Sequence, residues 1–445
     1  MIKKVKSFVG NNWLILLLLL TAFLVRLYFV DKAVILSGDL LVHKEWGERF
    51  WIIGAKNFYF DENWYYSKPT QPPFTSLIFA GAYYLYDHRY RLAELHNIIK
   101  FPPAAFIIYF GKWGYELMLK TPGILGDIFI GGLIYVFIIK MTSNRRRAVL
   151  GMSLYIFNPV SIFISGVWGQ TESLIAFFAL LSFYLLTDKY IWLSPLFMFL
   201  SIYTKPTWIV FLPLYIFCLI FVWKNKKVKL RNIIFGIILS LLALIIVTKP
   251  FSGSNIISFI KYTTLNNMLP AAKGTIKATT SAFNFNSIFF RLDVNLATDK
   301  YLVLPANNLG YIILTYLYLV MSFFINKNGV NPKTILISGF IIGSGATIFL
   351  TGMLERYLFI GFPFLLIIGL CETKYLKYFI IFNITLFLNL IWAFFRRSHG
   401  EVDHVFTDHG MLLIRIISII NVLIFILFVR SNISKNLLKL GLWKK

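Results

Sequence analysis

Hydrophobic and polar positions alternate along this chain in long blocks. Apolar runs fall at about 13–30, 74–86, 101–118, 122–140, 148–165, 172–187, 191–204, 207–223, 232–248, 309–326, 333–351, 356–371, 377–395 and 411–429. Most are close to the ~20 residues that a helix needs to cross hydrocarbon, and the shorter ones read as broken or short spans. The pattern predicts an all-α, polytopic membrane protein with about 12–14 transmembrane helices in one domain, residues 1–445. The first apolar run follows a basic flank, Lys3, Lys4 and Lys6, and has no small-residue cleavage site, so it reads as a retained span.

Between the runs, lysine and arginine are unevenly placed. Arg145-Arg146-Arg147, the stretch from Lys224 to Arg231, Lys327 with Lys333, Lys374 with Lys377, and the end at Lys444-Lys445 all fall on one side of the alternation, which the positive-inside rule makes cytoplasmic. Both termini are then cytoplasmic. The opposite side receives two long loops, 31–73 and 249–308. The first carries Trp46, Phe50, Trp51, Phe58, Phe60, Trp64, Tyr65 and Tyr66, a density suited to helices lying at the interface. The second is mostly polar, as a lid or binding loop would be.

Composition agrees: hydrophobic residues are 58% and charged residues 14%, where soluble domains carry about 25% charged. A net charge of +25 would suggest nucleic acid in a soluble protein, but here it sets topology, and no nucleic-acid partner is expected. Two distant cysteines, Cys218 and Cys371, imply neither a disulfide framework nor a metal site. His399, Glu401, Asp403, His404, Asp408 and His409 cluster in one outer loop, but their spacing matches no established metal site. No metal or other cofactor is expected.

Candidate chemistry collects on the outer side: Gly38-Asp39, Trp168-Gly169-Gln170-Thr171-Glu172, Thr204-Lys205-Pro206 and Glu355-Arg356-Tyr357. An acidic residue at a bilayer edge needs a reason to be there. Asp39 offers a carboxylate general base, or the N-cap of the helix that Trp46, Phe50 and Ile53 predict. His43, one turn on, either tunes Asp39 or is merely solvated. Arg356 and Lys205 are either cations placed to meet an anionic group or ordinary snorkelling residues; Lys68 is a further loop cation. Gln170 and Glu172 offer paired hydrogen-bond groups and Trp168 an aromatic face, with an interfacial aromatic belt as the plain alternative. Asp127, inside a span, reads as structural.

These segments, in this order, resemble the GT-C glycosyltransferases. Gly38-Asp39 with Trp46, then Tyr66 to Pro72-Pro73-Phe74-Thr75, is similar to the first outer loop of lipid-linked-oligosaccharide glucosyltransferases and of bacterial proteins related to GPI mannosyltransferases. Lys120-Thr121-Pro122 with Asp127, Asn158-Pro159 leading to Trp168-Gly169-Gln170, Thr204-Lys205-Pro206, Ala282-Phe283-Asn284-Phe285-Asn286 and Glu355-Arg356-Tyr357 continue the likeness over residues 38 to 357. One departure stands at Leu354, where the family commonly has histidine before Glu-Arg-Tyr. The resemblance implies a GT-C fold in a cell membrane and transfer of a hexose, with inversion, from a polyprenyl-phosphate-linked sugar to a glycan or glycolipid hydroxyl on the extracytoplasmic face. Asp39 would be the base; Arg356 and Lys205 would meet the leaving phosphate; Glu355, Trp168, Gln170, Glu172, His43 and Lys68 would complete the substrate site. The alternative is a transporter or flippase of lipid-linked glycans, although no internal repeat is visible.

Overall fold

The apolar runs fold as helices. The computed structural model describes residues 2–32, 37–225, 228–269 and 277–437, so Lys444-Lys445 and part of the Lys224 to Arg231 stretch lie outside the described residues, as do residues 270–276 of the second long loop. There is no strand among the described residues, only two isolated bridges, Lys277 with Leu296 and Lys300 with Pro305.

In chain order the helices are α1 (Ile2–Tyr28), α2 (Gly38–Ile53), α3 (Pro73–Asp87), α4 (Tyr90–Ile99), α5 (Ala104–Thr142), α6 (Arg145–Ile156), α7 (Pro159–Ile162), α8 (Glu172–Leu185), α9 (Ser194–Thr204), α10 (Leu212–Lys224), α11 (Leu230–Ser252) and α12 (Ile256–Thr263). After the second long loop come α13 (Phe285–Phe289), α14 (Ala306–Asn328), α15 (Pro332–Phe349), α16 (Phe362–Cys371), α17 (Leu376–Phe395) and α18 (Gly400–Leu437).

Among the described residues, seven helices are long and apolar enough to cross a membrane, and an eighth forms if α6 and Pro159–Trp168, bent by 42°, are one broken span. Three shorter apolar helices, Asn12–Tyr28, Glu172–Leu185 and Ile191–Thr204, pack among them. α15 is the central member, 89% of its apolar window being buried, whereas only 11% of that in α11 is. Ile234, Phe235, Ile238, Leu241, Leu242, Ile245 and Ile246 of α11 are all exposed. A continuous apolar face of this kind suits lipid and not water.

Three expected spans differ. The runs 101–118 and 122–140 form one 39-residue helix, α5, about 58 Å long at 1.5 Å per residue. Lys120-Thr121-Pro122 does not turn the chain, because the Lys120 ammonium stays inside the fold, donating to the carbonyls of Val30 (2.8 Å), Gly166 (3.0 Å) and Val167 (3.0 Å). The run 74–86 becomes α3, whose 15 residues reach only about 22 Å, short of the ~30 Å hydrocarbon layer. α3 instead packs on α2: His43 stacks on Phe79 at 4.1 Å between centroids, and Trp51 donates to the Ala80 carbonyl at 2.9 Å.

The two long loops pack together at one end of the bundle. Phe50 and Phe58 meet Phe251 at 5.6 and 6.0 Å, and Asn267 donates to the carbonyls of Tyr59 (3.3 Å) and Pro69 (3.1 Å). At the other end Lys140 meets Asp188 at 3.6 Å, and Glu372 ties Lys333 to Lys374.

Candidate active site

Five segments distant in sequence converge where the long loops cover the bundle. Ser37 begins the arrangement: its Oγ accepts the Leu40 amide, capping α2, and donates to the Trp168 carbonyl at 2.9 Å. The cap is therefore Ser37 and not Asp39. Freed from capping, the Asp39 carboxylate stands in the first turn of α2, where the helix dipole favours an anion.

Opposite stands the turn before α8. Gly169 adopts φ +79°, a conformation that side chains rarely take, and a Cβ there would lie 3.1 Å from the Lys120 side chain. Nearby, α5 runs so close to this turn that a Cβ on Gly126 would meet the backbone of Ser173 and Leu174. The turn is thereby fixed, and Gln170 Nε2 donates to Asp39 Oδ2 at 2.6 Å.

Arg356, at the start of the 3₁₀ turn Glu355–Ile360, ties the remaining members together. Its Nη1 is 2.8 Å from Glu355 Oε1 and 3.6 Å from Asp39 Oδ2, and its Nε is 3.1 Å from Glu172 Oε1. Lys205, which follows α9, makes an ion pair with the same Glu172 oxygen. The Ser281 hydroxyl donates to the other oxygen of Glu355, bringing the second long loop into the site. Glu172 Oε2 is buried without a partner. The cluster thus holds two cations and three carboxylates. Glu172, Glu355 and Lys205 are buried, whereas the Asp39 side chain is 39% exposed. Asp39 is the acid that solvent can reach, and its Oδ1 has no hydrogen-bond partner among the described residues.

Burial acts to raise the Asp39 pKa, but it is outweighed, chiefly by the Arg356 guanidinium and then by His43, Lys205 and the Gln170 hydrogen bond, which hold the carboxyl at about 2. His43 lies buried beside it with Nδ1 unpartnered. Burial pushes its imidazole down to about 4 against the pull of Asp39, so it is neutral at pH 7.

The residues predicted as sugar contacts have other partners. Trp168 is buried against Phe394 (5.1 Å) and Phe163 (6.1 Å), with the Arg356 guanidinium 5.6 Å from its ring, so it orients that cation and has no free face for a pyranose. Gln170 is committed to Asp39, and Glu172 to the two cations. Neither Arg356 nor Lys205 snorkels to water; both are held within the fold by carboxylates. Lys68 does not join the cluster, pairing instead with Glu62 in the exposed loop. The acidic and histidine cluster expected in a loop lies mostly within α18, where Asp403 accepts from Trp392 and His404 pairs with Asp408. No group of three or more His, Cys, Asp or Glu side chains is placed to hold a metal among the described residues.

Asp127 belongs to a separate buried network within the bundle. Arg26 Nε lies 2.9 Å from Asp127 Oδ2, Tyr155 donates to Oδ1 (2.8 Å), and Ser165 to Oδ2 (2.5 Å). Arg26 also donates to the Ile156 carbonyl (2.7 Å) and to Ser161 (2.9 Å). Both charges are fully buried and matched by hydrogen bonds, the arrangement that low-dielectric surroundings require.

The sequence matches no family model and no curated protein.

Proposed function

We propose that this protein is a GT-C membrane glycosyltransferase that moves a hexose from a polyprenyl-phosphate sugar to a hydroxyl of a cell-envelope glycan or glycolipid, with inversion. The observation that carries this reading is the meeting of a solvent-accessible carboxylate, Asp39, with a half-buried guanidinium, Arg356, at one end of an apolar helical bundle. Counting the bent pair α6 and Pro159–Trp168, the three shorter apolar helices and the broken segment Glu355–Cys371 as spans beside the seven long helices gives twelve crossings. With the basic turns taken as cytoplasmic, the cluster is extracytoplasmic and both ends of the chain are cytoplasmic.

In this scheme Asp39 Oδ1 accepts the proton of the acceptor hydroxyl, whose oxygen attacks the anomeric carbon. The bond from that carbon to the phosphate oxygen breaks, and polyprenyl phosphate leaves with its charge against Arg356 and Lys205. Both cations are already paired, so the phosphate must exchange with a carboxylate. The weakest tie on Arg356 is to Asp39, at 3.6 Å without a hydrogen bond, and it yields first. Losing that cation raises the Asp39 pKa, so donor binding itself turns a very weak base into a better one.

Mass spectrometry of lipid extracts tests the assignment: cells lacking the protein should accumulate a polyprenyl-phosphate hexose that cells containing it consume. A lipid-linked glycan that changes leaflet without any new glycosidic bond would instead identify a transporter.

A further inference from the structure

A cavity of about 390 Å³, a size that accommodates a small ligand, is walled by the end of α17, the loop before α14 and the first part of α18. Its charged groups are Asp293, Arg396, Arg397 and Asp403. Three of these are engaged. Arg396 binds Asp293 at 3.1 Å and lies 4.6 Å from the centre of the Trp392 ring, and Asp403 accepts the Trp392 indole N–H at 3.0 Å. Arg397 is exposed and has no ion-pair or hydrogen-bond partner among the described residues.

The walls are held in unusual backbone conformations. Asp293 has φ +57° and Met411 φ +65°, left-handed values that cost energy for residues with a Cβ, and the Asp293 amide is fixed by the Thr279 carbonyl at 3.0 Å. The cavity is also mechanically joined to the cluster. The Trp392 ring packs on Phe283 at 5.2 Å, the Phe283 amide donates to Asn389, Asn389 donates to the Ser281 carbonyl at 2.8 Å, and the Ser281 hydroxyl donates to Glu355.

We propose that this cavity is an acceptor subsite that takes an anionic group, a phosphate or carboxylate borne by the acceptor, on Arg397 with Arg396 beside it. Asp293 is paired with Arg396 and Asp403 accepts the neutral Trp392 indole, so Arg397 is the charged group of the wall with no partner among the described residues, and a guanidinium fork binds either oxyanion through two parallel hydrogen bonds. A neutral sugar gains none of this, and the indole of Trp392 is covered by Arg396 and Phe283, so stacking does not replace it. The acceptor role rests on the glycosyltransferase reading, whereas anion binding at Arg397 does not.

The test is direct binding to the purified full chain in lipid nanodiscs, with glucose 6-phosphate, glucuronate and glucose as probes. Both anionic probes should bind at least tenfold more tightly than glucose, and Arg397→Ala should abolish that preference while Arg397→Lys restores part of it. Because Arg397 is exposed and unpaired, neither change threatens folding. Arg397→Ala should lower affinity for the anionic probes by the same factor in an Asp39→Asn background as in the wild type, which separates this subsite from the cluster. Unchanged preference in Arg397→Ala overturns the subsite, even if transfer from a polyprenyl-phosphate sugar is demonstrated. Loss of preference in Arg397→Ala supports the subsite, even if the lipid extracts reveal no consumed donor and the transferase reading fails.

Discussion

Arg356 approaches Asp39 to 3.6 Å without donating a hydrogen bond to it, whereas Gln170 donates to the same Asp39 oxygen at 2.6 Å. The carboxylate is thus oriented by a neutral amide and only biased by the guanidinium. A ligand phosphate can draw Arg356 away without disordering Asp39, and the kinetics should register this. The acid limb of kcat/KM, which reports the free enzyme, should not fall through Asp39 titration until pH approaches about 2, while the acid limb of kcat, which reports the donor complex, should lie at higher pH. Coincident limbs would contradict release of Arg356 by the donor.

Arg356 serves three carboxylates through two nitrogens, Nη1 and Nε, a geometry that one ammonium cannot reproduce. Arg356→Lys should recover little activity, and Arg356→Ala should also lower stability by about 3–5 kcal/mol, the usual result of stranding buried charge. Lys205→Met should likewise lose donor affinity, because Lys205 is tied to Glu172 and is no mere snorkelling residue. Donor titrations and thermal denaturation of the purified variants check both. A fully active Lys205→Met would assign the phosphate to Arg356 alone.

His43 should make the fold acid-sensitive. Its folded pKa, about 4, lies below the usual 6.5, so the unfolded chain binds a proton between these values that the native protein refuses. Stability therefore falls as pH drops from about 6.5 to 4. Asp39 adds a second loss only at lower pH, as the pH falls from 3.8 towards about 2. His43→Phe, which preserves stacking on Phe79, should flatten the first slope; thermal denaturation at pH 7 and pH 5 measures it.

Much of this site was legible in the sequence because polar residues at the ends of apolar runs are costly unless used. Asp39, Gln170, Glu172, Lys205 and Arg356 carried that signal. Their partners within the site were not legible, since which carboxylate meets which cation depends on packing between helices more than 100 residues apart in sequence, as for Gln170 with Asp39. Arg26 was missed because it lies within an apolar run, where nothing local points to Asp127, and Ser281 because a serine in a polar loop carries no signal. The sequence divides α5 into two runs because Lys120-Thr121 interrupts its apolar positions, and nothing local shows that three backbone carbonyls will satisfy the Lys120 ammonium inside the fold.

The Arg26 and Asp127 pair should matter for folding and not for chemistry. Arg26→Met alone should cost about 3–5 kcal/mol by leaving a buried carboxylate unpaired, and Arg26→Met with Asp127→Leu should regain part of it. Thermal stability in detergent distinguishes this from independent contributions, which would simply add.

The central claim is that Asp39 is the general base. Purified Asp39→Asn, assayed for transfer from a polyprenyl-phosphate hexose to an acceptor that the wild-type protein uses, should retain donor binding and lose about 10²–10⁴-fold in kcat. Turnover near that of the wild type would contradict the account and leave Asp39 as no more than an anion at the start of α2.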